Sequence, residues 1–91
     1  MQLTVKTFLR SEAKAWLNRS DGASEIIRIV PVYAPVGQQS YELYPAYDQP
    51  GEYLGRILFD RAGYWIYDGS DLSIIEQEQV AAFIINYVER I

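Results

Sequence analysis

The 91-residue sequence has no cysteine, no histidine and a single methionine. Without cysteine there is no disulfide framework, zinc knuckle or thiol nucleophile. Without histidine the chain lacks the commonest general base and the commonest metal ligand. Long apolar runs are also missing. The longest, residues 26–36, is interrupted by Arg28 and falls short of the roughly 18–20 residues that span a bilayer as a helix. The N-terminal MQLTVKTFLR has no continuous apolar segment of the kind a secretory signal needs. Together with the lack of cysteine, this gives a cytoplasmic location as the expectation, with no membrane partner. On that basis the sequon Asn18-Arg19-Ser20 is a chance match.

Positive charge is scarce. Eight basic residues stand against twelve acidic ones, for a net charge of −4. Polyanion binding draws on a basic surface that releases counterions from phosphates, so nucleic acid is not the expected partner. The imbalance is uneven: residues 1–30 carry five basic and three acidic side chains (+2), and residues 31–91 carry three and nine (−6).

What the chain does have is aromatic side chains, at 14%, with eight tyrosines among them. Seven lie between Tyr33 and Tyr67. A chain of this length makes one domain and buries roughly 60–65% of its unfolded surface.

The pattern predicts an α+β fold: a four-stranded antiparallel β-meander flanked by an N-terminal and a C-terminal α-helix. Val5, Phe8, Leu9, Ala13, Trp16 and Leu17 recur at helical spacing over residues 4–19, with Lys6, Arg10 and Lys14 on another side. The rival reading puts Leu3 and Val5 in a short strand and starts the helix near Phe8. Ser20-Asp21-Gly22 then ends the helix, because glycine accepts the left-handed C-terminal conformation. Strands follow over Glu25–Tyr33, Ser40–Tyr47, Glu52–Phe59 and Tyr64–Tyr67, separated by the turn-forming Pro35-Val36-Gly37, Asp48–Gly51 and Asp60–Gly63. Pro31 has no N–H for a ladder and marks an edge or a bulge. Ser73 and Glu76 fit a capping box opening a helix from about Ile74 to the C-terminus. Its apolar residues, from Val80 to Ile91, cover an arc of roughly 200°.

Side chains alternate across strands, so turn lengths assign faces. A four-residue loop at 60–63 opposes Phe59 to Tyr64, Leu58 to Trp65 and Arg56 to Tyr67. A turn centred on Pro50-Gly51 opposes Tyr47 to Leu54 and Leu43 to Leu58. One face then gathers Tyr44, Ala46, Ile57, Phe59, Tyr64 and Ile66. The other gathers Tyr41, Leu43, Pro45, Tyr47, Leu54, Leu58, Trp65 and Tyr67, with Arg56 among the rings. Neither face is polar, and an uncovered aromatic face on a monomer points to a contact surface.

The expected interaction face is therefore Tyr41, Leu43, Tyr47, Leu54, Arg56, Leu58, Trp65 and Tyr67. Tyr, Trp and Arg dominate interface hot spots because they join large area to a polar handle. Asp68, Asp71 and Glu76 do not follow a Ca²⁺-loop series and read as turn formers and caps, so no metal is expected. Gly51 and Gly55 lack the Lys-Ser/Thr of a phosphate loop, and no spacing selects a catalytic carboxylate pair, so neither cofactor nor enzyme activity is expected. The residues point to a small non-enzymatic protein–protein interaction module, self-associating through the aromatic sheet face or the apolar last helix. The alternative is a small-ligand-binding domain with a pocket between sheet and helix.

Overall fold

The computed structural model describes residues 4–6, 8–33, 39–47, 52–60 and 62–90. Five antiparallel strands form a meander in the order β2 (Ala13–Asn18), β3 (Ser24–Tyr33), β4 (Gln39–Pro45), β5 (Gly55–Phe59) and β6 (Trp65–Asp68). The helix α1 (Ile74–Ile85) follows, and β1 (Thr4–Lys6) pairs with β7 (Val88–Arg90) in a separate two-stranded ribbon. The fold is small α+β with an antiparallel sheet. The strand count is higher than the sequence pattern indicates, and the N-terminal helix is replaced by strands. The Pro35–Gly37 loop and the Asp48–Gly51 turn lie outside the described residues.

Residues 13–18 are a strand because Ala13, Ala15 and Leu17 face the core while Lys14, Trp16 and Asn18 face out, a period of two. Two of the three inward residues are alanines, so the alternation is weak in hydrophobicity. Alanine and lysine also favour helix intrinsically, and pairing with β3 overrides that preference. The cationic stripe dissolves with the helix: Lys14 projects from β2, and the Lys6 side chain lies outside the described residues.

Gly22 is the third residue of a hairpin loop, not a helix terminus. The Arg19 amide donates to the Ala23 carbonyl (2.7 Å), and Gly22 takes φ +91°. The same device recurs between β5 and β6. There the Asp60 amide donates to the Tyr64 carbonyl (2.9 Å), Gly63 takes φ +90°, and the Asp60 carboxylate accepts from the amides of Ala62 and Tyr64. Three-residue loops closed by a glycine at positive φ are a standard hairpin connection.

This loop is one residue shorter than the four-residue reading, and the consequence is a change of face. Phe59 pairs with Trp65, Ile57 with Tyr67, Leu58 with Ile66, and Arg56 with Asp68. Between β4 and β5, Leu43 pairs with Gly55 and Tyr41 with Ile57, a shift of three residues from the sequence reading. Odd shifts move side chains across the sheet. Alternation is also interrupted at Gly55 (φ +109°), so that Leu54 and Ile57 both enter the core. A Cβ on Gly55 would lie 2.6 Å from the Tyr67 ring, so the chain passes there only as glycine.

Pro31 sits in an internal strand, yet loses no ladder bond. β2 ends at Ala13 opposite Ile29, so the Pro31 nitrogen points past the end of β2.

One face of the sheet is covered. Leu17, Ile27, Ile29, Tyr41, Leu43, Ile57 and Phe59 pack beneath Val80, Ala81 and Ile84 of α1, with Leu9, Leu54 and Leu72 closing the sides. Phe8 and Tyr41 each meet the Phe59 ring edge-on at 5.0 and 5.7 Å. The Tyr41 hydroxyl donates to the Leu9 carbonyl (2.8 Å) inside the core. The Leu9 amide in turn donates to the Ile84 carbonyl (3.1 Å), one of the carbonyls a helix C-terminus leaves unpaired.

The capping box expected at Ser73 and Glu76 is present. Its carboxylate does more than cap. Besides the Ser73 amide (2.8 Å), Glu76 accepts the Ser20 amide from the β2–β3 hairpin (3.0 Å) and lies 3.6 Å from Arg19. These bonds fasten the start of α1 to the sheet. The helix ends at Ile85, six residues before the C-terminus, where Asn86 turns its amide and side chain onto the Ala82 carbonyl. No helix among the described residues is long and apolar enough to cross a membrane.

Candidate functional site

The face of the sheet opposite α1 carries Trp16 on β2, Arg28, Val30 and Val32 on β3, and Glu42 and Tyr44 on β4. Arg56 and Leu58 on β5 and Ile66 on β6 share this face, as do Lys14, Ile26 and Asp68 opposite Arg28, Trp16 and Arg56. None of these belongs to the buried core. Alternation places them: each lies in the phase opposite to the residues under the helix.

The face has three zones. At one end, Trp16 is 68% exposed and stands opposite Ile26, with Tyr47, 71% exposed, across a shallow depression of about 280 Å³ that Ser24 and Glu25 also line. The Lys14 ammonium lies 4.9 Å from the Tyr47 ring centroid and 3.5 Å from its hydroxyl, bracing the ring. At the other end, Leu58, Ile66 (66% exposed) and Tyr64 (75% exposed) surround a second depression of about 200 Å³.

Between them lie charges of both signs, Glu12, Arg28, Glu42, Arg56 and Asp68, with Lys14 directly opposite Arg28. Arg28 pairs with Glu12 (3.4 Å) and Arg56 with Asp68 (3.0 Å), while Glu42 stands directly opposite Arg56 and accepts the Tyr44 hydroxyl (2.8 Å). The Arg28 guanidinium also lies 4.9 Å over the Tyr44 ring, and Tyr53 closes on Tyr44 at 5.6 Å. Such pairs at a wet surface add little stability. They do neutralise the face and hold its aromatic rings in place.

The titration shifts here lead away from acid–base chemistry. Donation to Glu42 is the main cause that raises the Tyr44 pKa above its ordinary value of 10.0. Burial, followed by the Glu42 charge, raises Tyr53 from the same value. A general acid or base works best near the ambient pH, and both phenols move further from it. Among the described residues no three acidic side chains gather as metal ligands.

The eight residues expected on one interaction face are divided by the structure. Tyr41 and Leu43 are fully buried, and Leu54 is nearly so. Trp65 and Tyr67 are half-buried against the core, the Tyr67 hydroxyl bonding the Leu54 carbonyl and accepting the Asp71 amide. Only Tyr47, Arg56 and Leu58 remain toward the open side. Arg56 is paired with Asp68 rather than with Tyr67. Trp16, Tyr53, Tyr64 and Ile66 are the exposed residues the sequence reading missed. The signal for Trp16 was the alternation of Lys14, Trp16 and Asn18 against Ala13, Ala15 and Leu17. The apolar arc of the last helix is largely used within the chain: Val80, Ala81 and Ile84 are buried, and Phe83, Ile85 and Tyr87 pack against the core. Ile74 and Ile75, in its first turn, are exposed.

Comparison with known proteins assigns no family: no family model, no curated protein and no solved structure matches the chain.

Proposed function

We propose that this chain is a small non-enzymatic protein–protein interaction module whose contact surface is the sheet face opposite α1. The observation that carries the reading is the pair of outward-turned rings, Trp16 and Tyr47, on a face no described element covers. Large amphipathic rings held rigid at a surface are the side chains that recognition hot spots use. The charge belt, two arginines against three carboxylates, supports a protein partner over a polyanion, because it offers no surplus of cations. The sheet face fits this role better than the last helix, whose apolar arc is mostly occupied inside the chain.

The small-ligand alternative draws on the Trp16–Tyr47 depression. At about 280 Å³, and open to solvent, it lies below the roughly 300 Å³ at which pockets for drug-sized molecules begin.

The test is affinity capture followed by calorimetry with the purified captured protein, comparing the native chain with Trp16→Glu. Trp16 is two-thirds exposed, so the variant is expected to keep its fold by circular dichroism while binding weakens at least about ten-fold. Equal affinity for the two chains would remove this surface from the reading.

A further inference from the structure

The two edges of the sheet differ. In the β2–β3 hairpin the Arg19–Ala23 bond sets the phase, so Asn18, Trp16 and Lys14 turn their backbone groups outward. At Asn18 these groups are taken: its amide donates to Gln79 Oε1 and its carbonyl accepts from Gln79 Nε2, both at 2.9 Å. Gln79 reaches over the edge from α1 and occupies the place a partner strand would need. In the β5–β6 hairpin the Asp60–Tyr64 bond sets the phase, so Trp65 and Tyr67 direct their N–H and C=O groups away from β5. No described segment covers this edge, and Ile66 and Tyr64 beside it are the more exposed apolar residues of β6 and its turn.

We infer that β6 pairs antiparallel with β6 of a second copy, joining two five-stranded sheets into one of ten. The sequence of the strand is self-complementary in a single register. With Ile66 on the two-fold axis, Trp65 faces the second copy's Tyr67 as a hydrogen-bonded pair, and Tyr67 faces its Trp65. All four outward backbone groups of each strand are then satisfied. Ile66 meets Ile66 across the axis as a close, non-hydrogen-bonded pair on the open face. Tyr64 meets Asp68, a phenol against a carboxylate, so no like charges oppose each other. Moving the register by two residues sets Ile66 against Asp68 or leaves outward groups unpaired. The inference narrows the interaction reading to one partner, and it uses the edge of the sheet instead of the Trp16 end.

Sedimentation velocity from micromolar to submillimolar concentration tests it on the native chain and on Ile66→Lys, Ile66→Glu and Trp16→Glu. The native chain and Trp16→Glu are expected to dimerise alike. Each Ile66 variant alone is expected to stay folded and to raise the dimer dissociation constant by about ten-fold or more, since like charges face each other across the axis. An equimolar mixture of the two Ile66 variants is expected to restore the dimer, the introduced lysine facing the introduced glutamate. A monomeric native chain overturns the inference, as does a dimer indifferent to Ile66→Lys or a mixture no tighter than its components. A dimer broken by Trp16→Glu and spared by Ile66→Lys would overturn the edge pairing while leaving the open face as a contact surface.

Discussion

Replacing Glu76 by Gln should loosen the attachment of α1 to the sheet in a way that depends on pH. The native carboxylate is 5% exposed and accepts two backbone amides, Ser73 at 2.8 Å and Ser20 at 3.0 Å, with Arg19 at 3.6 Å. Hydrogen bonds to a charged group contribute about 1.5–3 kcal/mol each, and glutamine keeps one neutral acceptor, so a loss of about 2 kcal/mol near neutral pH is expected. In a domain of this size that corresponds to a melting temperature lower by roughly 10 °C. The Ser73 amide, above all, holds the Glu76 pKa below the ordinary 4.5. A depressed folded-state value means the contribution is complete above the unfolded value and is lost as pH falls through the folded one. Urea unfolding of both chains from neutral to acid pH should therefore show two curves that converge below about pH 4.5. Curves that remain parallel to the acid limit, or coincide at neutral pH, would refute the assigned role of this carboxylate.

Two further substitutions test the packing that decides which face is open. Gly55→Ala combines a positive φ with a Cβ 2.6 Å from the Tyr67 ring, whereas Gly63→Ala has a positive φ and open space around it. Urea unfolding should give about 1–2 kcal/mol of destabilisation for Gly63→Ala and about 3 kcal/mol or more for Gly55→Ala; equal losses would mean that the Tyr67 contact is not made. Tyr41→Phe leaves the buried Leu9 carbonyl without its 2.8 Å donor. It should cost about 1–3 kcal/mol by the same assay, and a neutral result would mean that the hydroxyl does not satisfy the Leu9 carbonyl.

The parts of this fold legible in the sequence are those with strong local chemistry. The β-branched run at Glu25–Tyr33 is a strand, and Ser73 with Glu76 caps a helix at the expected residue. The β5–β6 hairpin is announced by Asp60 and Gly63. Ala13–Asn18 was obscured because its inward side is mostly alanine, too small to mark a face. Gly22 carries the same positive φ whether it ends a helix or closes a three-residue hairpin, so the residue alone does not choose between them. The interaction face suffered most, because faces depend on parity. One residue in the 60–64 loop and the interruption at Gly55 sent Tyr41 and Leu43 inward and left Ile66 outside, while Trp16 was hidden in the unmarked strand Ala13–Asn18. Edge pairing adds a property that no single strand shows: β6 matches itself only once its phase against β5 is known.

Residue-resolved amide exchange at low and high protein concentration bears most directly on the proposed pairing of two copies through β6. If β6 is where two copies meet, the Trp65 and Tyr67 amides should exchange quickly at low concentration and become protected at high concentration in the native chain. They should remain fast in Ile66→Lys at both. Exchange at Trp65 and Tyr67 that does not change with concentration would contradict the pairing.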